Sequence, residues 1–486
     1  MSNRDVGDIA RGALASLGGF GGRMVARLAL MVSAGHLYGV SNVGFLGQLA
    51  AIVEILAAIA VFGLKRSLLD MLGFAAKHDQ PLGRAIATAL TLSMGIAAGL
   101  GLILYLVWPI LFPAHGDMPV LVFFALPAIA FADVSSAATR YRRVIRWEVL
   151  ARCVVEPWTF LGIALGCYFF GLQEEGLPIA YAASLIAAAF TGLWGLFHTY
   201  SSKDVVTWRP DLKALPKMAH QSLPVGITDI GVMMLRRVDI LLLGLFVDHR
   251  ITGLYYMAQQ ITTVPHKIYQ LFEPMMAPVI ASLHHAQNAD GIRSKLVGLC
   301  RWVFTLQIGL TVPLMVFGDR VLGLFGHQFA AGAVVLGVLL MAELVDGSFS
   351  LVETPLVFAR RTVPAALIMA ALLVEAVSIP AFSYMWGAEG AALGFLCTTV
   401  LLAVGRLYML ERTLDIGVVD RGYVGPLLIA VLVGGALWSL RPYIPVESPS
   451  MAGFTILSGI GCFLLLINTF IVSDDDRRII RGLRSR

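Results

Sequence analysis

Charge is the scarcest commodity in this chain: Asp, Glu, Lys and Arg make up 14% of its 486 residues. Soluble domains average about 25%, so most of this surface does not face water. Cysteine is sparse too. Cys153, Cys167, Cys300, Cys397 and Cys462 are odd in number, lie scattered in apolar segments and lack metal-ligand spacing. They read as small packing residues, not as a disulfide framework or a metal site. There is no P-loop, no cluster of His and Cys ligands and no stretch polar enough for a soluble domain. That argues against a membrane glycosyltransferase or an ATP-driven pump, unless a partner supplies the missing domain. The net charge of +5 does not point to nucleic acid, because Lys and Arg gather at segment ends instead of on one basic face. No cofactor is expected.

What is abundant is hydrocarbon. Hydrophobic residues make up 58% of the chain, and mean hydropathy is +0.80. Apolar runs long enough to cross a bilayer recur throughout. They predict spans at about 12–36, 43–64, 84–111, 118–139, 148–170, 177–199, 218–247, 251–282, 294–324, 330–357, 363–386, 389–410, 424–441 and 451–473. The first is too long for the core of a signal peptide and is interrupted by Arg23 and Arg27, so it reads as a span. The expected fold is all-α and polytopic, with about 14 transmembrane helices.

Basic residues alternate from loop to loop. Lys65, Arg66, Lys77 and Arg84 follow the second span; Arg140, Arg142, Arg143 and Arg146 follow the fourth; Lys203, Arg209, Lys213 and Lys217 follow the sixth. The pattern continues through Arg293 and Lys295, Arg360 and Arg361, Arg412 and Arg421, to the tail "DDDRRIIRGLRSR". The intervening loops hold little more than Arg250, Arg320 and Arg441. By the positive-inside rule both termini are expected in the cytoplasm.

The chain also repeats itself. An offset of 209 places Gly22 on Gly231, Arg27 on Arg236 and Gly44 on Gly253. An offset of 213 places Asp133 on Asp346; one of 214 places Arg146 on Arg360 and Gly176 on Gly390. Two parallel six-helix lobes are therefore expected, 10–200 and 218–413, joined by a cytoplasmic linker at 201–217. Two extra spans (422–473) and a basic tail (474–486) complete the chain. Such repeats are common in transporters, with the substrate site at their interface.

A charge at mid-span costs about 2.5–3.5 kcal/mol on insertion scales, so it normally faces a bundle interior or a wet cavity. Ser16, Arg23 and Arg27 share a face of the first span. In "VMMLRRVDILLLGLF" the seventh span carries Arg236, Arg237 and Asp239. Asp239 lies within reach of Arg236 and either pairs with it or leaves it for a ligand, whereas Arg237 points elsewhere and reads as structural. Tyr256, Gln260, Thr263, Lys267 and Gln270 form a continuous polar stripe along the eighth span. Arg23, Arg27, Arg236 and Lys267 thus make a candidate cationic site, supported by Tyr256, Gln260 and Gln270. Arg152 and Glu156, four residues apart, read as a structural pair. His36 and His266 read as packing histidines.

Carboxylates suit hard cations, and burial favours their protonated form. Asp133, Asp239, Asp346 and Glu375, with Thr398, are therefore candidates for coupling to H+ or Na+. Asp346 belongs to an acidic stripe with Glu343, Ser350 and Glu353 on the tenth span.

The stretches "AGHLYGVSNVGFLGQLAAIVEILAAIAVFGLKRSLL" and "VDILLLGLFVDHRITGLYYMAQQI" resemble the openings of the two halves of polysaccharide flippases in the multidrug/oligosaccharidyl-lipid/polysaccharide superfamily. The resemblance covers roughly residues 10–413. It implies two six-helix lobes around a central cavity, in the bacterial inner membrane. In the lipid-linked branch that cavity is cationic and takes the pyrophosphate and sugars of an undecaprenyl-linked substrate; Arg23, Arg27 and Lys267 fit that role. Some relatives bind a cation with acidic groups of the seventh and eleventh spans and a Thr of the twelfth, here Asp239, Glu375 and Thr398, an expected Na+ site. The partners implied are a lipid-diphosphate-linked glycan, membrane lipids, a coupling ion, and a polysaccharide polymerase or glycosyltransferases. A cation-coupled drug exporter, which Asp133, Asp346 and Glu375 would suit, and a non-transporting scaffold for glycan assembly are the rival readings.

Overall fold

A computed structural model describes residues 21–112, 120–201, 208–360, 362–444 and 449–471. Ser16, Arg361, the middle of the 201–217 linker and the 474–486 tail lie outside them. Among the described residues the chain is helical, without strands. In hydrocarbon a spanning segment must satisfy its own backbone hydrogen bonds, which a helix does within itself. Among the described residues ten helices are long and apolar enough to cross a membrane, including Gly39–Lys77, Leu82–Leu111, Gly176–Thr199 and Ser450–Phe470. The helices Leu215–Phe246 and His249–His285, which carry the seventh- and eighth-span charges, are not in that set. Large apolar side chains such as Ile110 and Phe190 are exposed on the outer surface.

The chain divides into two compact units, Met1–Leu241 and Leu242–Arg486. The first holds a helix over 21–37, then Gly39–Val61, Leu64–Lys77, Leu82–Leu111, Val120–Tyr141, Arg146–Phe169, Gly176–Thr199 and most of Leu215–Phe246. Val120–Tyr141 and Gly176–Thr199 pack along their length. Gly192 makes this possible: a Cβ there would run into the Ser135 hydroxyl. Close approach through small residues replaces the hydrophobic drive that lipid cannot supply. Phe45 meets Trp108 and Phe112 edge to face in the core, at 6.1 and 5.1 Å between centroids, and those two rings lie tilted on each other at 4.6 Å. Gly63, at φ +73°, turns the chain between two helices and lies against the backbone of Gly226. Ser67 and Ser222, 2.8 Å apart, close the same contact. The segment Arg146–Phe169 is wound as a π-helix over Leu150–Val155, a winding often found at functional positions.

The second unit contains His249–His285, Ala289–Val316, His327–Ala359, Thr362–Leu414, Val424–Leu440 and Pro449–Phe470. Thr362–Leu414 is two helices joined at Trp386 and Gly387, both of which leave helical geometry. The chain doubles back there: the Gly390 Cα meets the Phe382 carbonyl so closely that no Cβ fits, and the Ser378 hydroxyl donates to the Gly394 carbonyl at 3.3 Å. The break falls between the predicted spans 363–386 and 389–410. One core gathers Tyr269, Ile280, Leu296, Cys300, Val303 and Leu356. Another seats the last two helices on Ala289–Val316 through Ile308, Phe317, Val433 and Phe463.

Candidate functional site

The structure sorts the intramembrane charges into pairs and networks. In the first unit, Arg23 and Arg27 sit half-buried on the 21–37 helix, beside buried Ala26 and Leu30. Arg236 is exposed on the Leu215–Phe246 helix. Its neighbour Arg237 donates from Nε to Glu54 Oε2 at 2.6 Å. Asp239 is fully buried and accepts from the backbone N–H of Ile240 at 2.7 Å.

A denser cluster surrounds Asp133. Arg152, from the π-wound segment, donates to Asp133 and also to Glu156, the latter at 2.8 Å. Lys65 approaches the same Asp133 oxygen at 3.6 Å. The i,i+4 pair Arg152–Glu156 is as expected. The sequence reading missed its extension to Asp133 and Lys65, since those residues come from other helices.

The second unit holds the polar stripe of the eighth span. Tyr256 and Gln260 are buried, and the Gln260 carbonyl accepts from the Thr263 hydroxyl at 2.6 Å. Lys267 is exposed, and its ammonium donates to Gln270 Oε1 at 2.7 Å. His266 is not a packing residue alone. Its Nδ1 lies 2.8 Å from Glu343 Oε2 and its Nε2 lies 3.2 Å from Gln270 Nε2. Its partner Glu343 belongs to a helix 77 residues further along the chain, so local spacing carried no sign of the contact.

Asp346 mirrors Asp133. Arg406 donates to Asp346 at 2.7 Å and to Glu353 at 3.0 Å. Arg406 is buried at 7% exposure, and sequence reading passed it over. The signal was there: a lone arginine in "TTVLLAVGRLYML" breaks an apolar span as clearly as Arg236 does. Glu375 is fully buried; Thr398 is also fully buried and donates to the Gly394 carbonyl at 3.0 Å. Of the expected Na+ ligands, Asp239 lies in the first unit, Glu375 and Thr398 in the second. Among the described residues no three His, Cys, Asp or Glu side chains gather into a metal-binding group.

With this geometry in place, comparison with known proteins is informative. The profile of the family described as "Polysaccharide biosynthesis protein" matches residues 37–333, well over half of the chain. The chain belongs to that family. A curated relative, "Probable low-salt glycan biosynthesis flippase Agl15" of Haloferax volcanii, is 22% identical over 258 residues, covering 51% of this chain and 53% of its own. The chain thus spans about half the length of that relative. Among solved structures, "Lipid II flippase MurJ, inward closed conformation" superposes with a TM-score of 0.74 at 14% identity, covering 94% of this chain and 98% of that one. An inward-facing multidrug resistance MATE family transporter of the MOP superfamily gives 0.62 at 14% identity, covering 80% and 98%. This family member therefore has the fold expected of it: all-α and multi-pass, similar to those two solved transporters.

Proposed function

We propose that this protein is a flippase carrying an undecaprenyl-diphosphate-linked oligosaccharide from the inner to the outer leaflet of the cytoplasmic membrane by alternating access. Both termini lie in the cytoplasm, and H+ or Na+ is coupled to the cycle. One observation carries the reading. Of the three carboxylates that would suit a cation-coupled drug exporter, Asp133, Asp346 and Glu375, the first two are each held by an arginine, Arg152 and Arg406. The basic side chains Arg23, Arg27 and Lys267 line the first and eighth spans, where the head group of a lipid-linked anion would enter. Family membership, the glycan-flippase relative and the MurJ-like fold support the same choice. These matches are to flippases and transporters, which favours transport over enzymatic chemistry.

Arg23, Arg27, Arg236 and Lys267 attract the diphosphate, with Tyr256, Gln260 and Gln270 available to the sugars. An ion pair at about 4 Å contributes about 4 kcal/mol at an effective dielectric near 20, which offsets part of the head group's desolvation. The two units then exchange access from one face to the other, as repeat-built transporters do.

The test is deletion followed by lipid extraction, with complementation by Lys267→Ala and Arg27→Ala. The expected result is accumulation of the undecaprenyl-diphosphate oligosaccharide on the inner leaflet in the deletion strain, and no rescue by either variant at wild-type membrane levels. Full export by both variants would overturn the mechanism. Unimpaired glycan crossing in the deletion strain would turn the protein into a scaffold, and drug sensitivity without lipid accumulation would make it an exporter.

A further inference from the structure

Four side chains of the second unit form one continuous hydrogen-bonded line, Lys267–Gln270–His266–Glu343. The donor inventory fixes the direction of these three bonds. Lys267 is an ammonium and only donates, so the Gln270 atom it meets at 2.7 Å must be the carbonyl Oε1. That turns the Gln270 amide nitrogen, which only donates, toward His266 Nε2 at 3.2 Å. Nε2 must then accept, which leaves the imidazole proton on Nδ1. Nδ1–H donates to Glu343 Oε2 at 2.8 Å. The arrangement holds one neutral histidine against one carboxylate, with a net charge of −1 on the pair. His266 and Glu343 side chains are only 11% and 16% exposed, so water screens them weakly.

We propose that His266 and Glu343 form a proton-binding site, and that its occupancy sets the affinity of Lys267 for the diphosphate of the lipid substrate. The inference rests on Lys267 meeting that diphosphate and adds the chemical means by which a proton is felt there. A proton arriving at Nε2 makes His266 a donor at both nitrogens. Gln270 can no longer donate to it and must turn its Oε1 to the new N–H. That rotation withdraws the oxygen from Lys267 and sets the amide nitrogen in its place, so the ammonium leaves for another acceptor. The pair's net charge rises from −1 to zero at the same time. Both changes favour an anion at Lys267, so proton and diphosphate bind with positive linkage, and each raises the affinity of the other.

Other charged groups lie on the helices packed around the pair. On its own helix His266 meets Gln270 and the edge of Tyr269, the latter with ring centroids 4.9 Å apart, and Lys267 follows it in sequence. The helix that carries Glu343 also carries Asp346, which is held by Arg406, as is Glu353 just beyond. Arg406 and the buried Glu375 both belong to Thr362–Leu414. The Ala289–Val316 helix contributes the Cys300 thiol to the core around Tyr269, and uncharged Gln307, which donates to the Pro265 carbonyl at 3.1 Å. Imidazole is the side chain suited to report pH changes near neutrality.

The experiment uses the full chain in lipid nanodiscs. Its probe is undecaprenyl-diphosphate-linked N-acetylglucosamine, a diphosphodiester that has no proton titrating near neutrality. Wild-type affinity is expected to tighten about tenfold between pH 8 and pH 5.5, with proton uptake on binding in weak buffer. His266→Gln should bind within about threefold of wild type at the alkaline end and show no pH slope. Gln270→Leu should keep the imidazole titration, read by infrared difference spectroscopy, and show a shallower slope, because the charge of the pair still changes while the amide no longer turns. A wild-type slope retained in H266Q or in Q270L overturns the relay, as does a chain whose infrared spectrum shows no titrating His266. An intact infrared titration with no probe binding at any pH overturns the diphosphate reading instead and leaves the proton site standing.

Discussion

The two units solve one problem differently. Each places an aspartate at the equivalent point of the repeat, Asp133 and Asp346, and each neutralises it with an arginine inside the membrane. The arginines are not equivalent. In the first unit Arg152 comes from the π-wound stretch Leu150–Val155, and at offset 214 its counterpart is Ala366. In the second unit Arg406 comes from the return leg of the 362–414 hairpin, and at the same offset its counterpart is Gly192. Gly192 has no side chain to offer and packs directly on Ser135. The acid keeps its place while the base moves from one helix to another. What each half requires is a neutralised carboxylate pinning helices together, and two different helix pairs meet that need.

The relay of the second unit is a sharper contrast. At offset 209, His266, Lys267 and Gln270 fall on Ala57, Ala58 and Val61; at offset 213, Glu343 falls on Ala130. The first unit therefore carries the pinning ion pair and no counterpart of the relay. Pinning is duplicated, whereas proton sensing, on the inference above, belongs to one half.

This comparison can be broken by substitution. The largest effect is expected from Arg406→Leu, which takes the buried arginine from Asp346 and Glu353, and from Arg152→Leu, which leaves Asp133 to the more distant Lys65. Each should lower stability by about 3–5 kcal/mol, read as a fall in detergent-solubilised Tm, and the double variants Asp133→Leu/Arg152→Leu and Asp346→Leu/Arg406→Leu should recover most of it. Equal losses in single and double variants would show that the pairs do not pin. A smaller effect, about 1–3 kcal/mol, is expected from Gly192→Ala, where the new methyl meets the Ser135 hydroxyl; Gly192→Ala/Ser135→Ala should relieve it. The smallest is expected at Glu54–Arg237, whose side chains are about a quarter exposed. A double-mutant cycle with alanines should return a coupling of about 1 kcal/mol or less, and a coupling as large as at Asp346–Arg406 would erase the distinction between a pair built on a buried arginine and a partly wetted one.

Much of the fold was legible in residue order. Helices appear along every predicted span within the described residues, because spanning length and apolar composition are local properties. The hairpin break at Trp386 and Gly387 was foreseeable from "YMWGAEG", a glycine between two apolar runs. The candidate site was legible only in part. The stripe Tyr256–Gln260–Lys267–Gln270 follows from helical spacing, and so does Arg152–Glu156. Arg406 was missed although it broke an apolar run, and His266 was taken for packing because a lone histidine has no periodic partner.

By itself, then, residue order determined that this chain crosses membranes as helices, that its halves repeat, and which faces of those helices are polar. Backbone hydrogen bonds close within a helix and side-chain faces recur every few residues, so both are settled by near neighbours. Only the tertiary structure decided which charge answers which: Arg237 meets Glu54 across 183 residues, Arg406 meets Asp346 across 60, and His266 meets Glu343 across 77. Those choices depend on which helices pack together, and a buried charge takes whichever opposite partner that packing brings within reach.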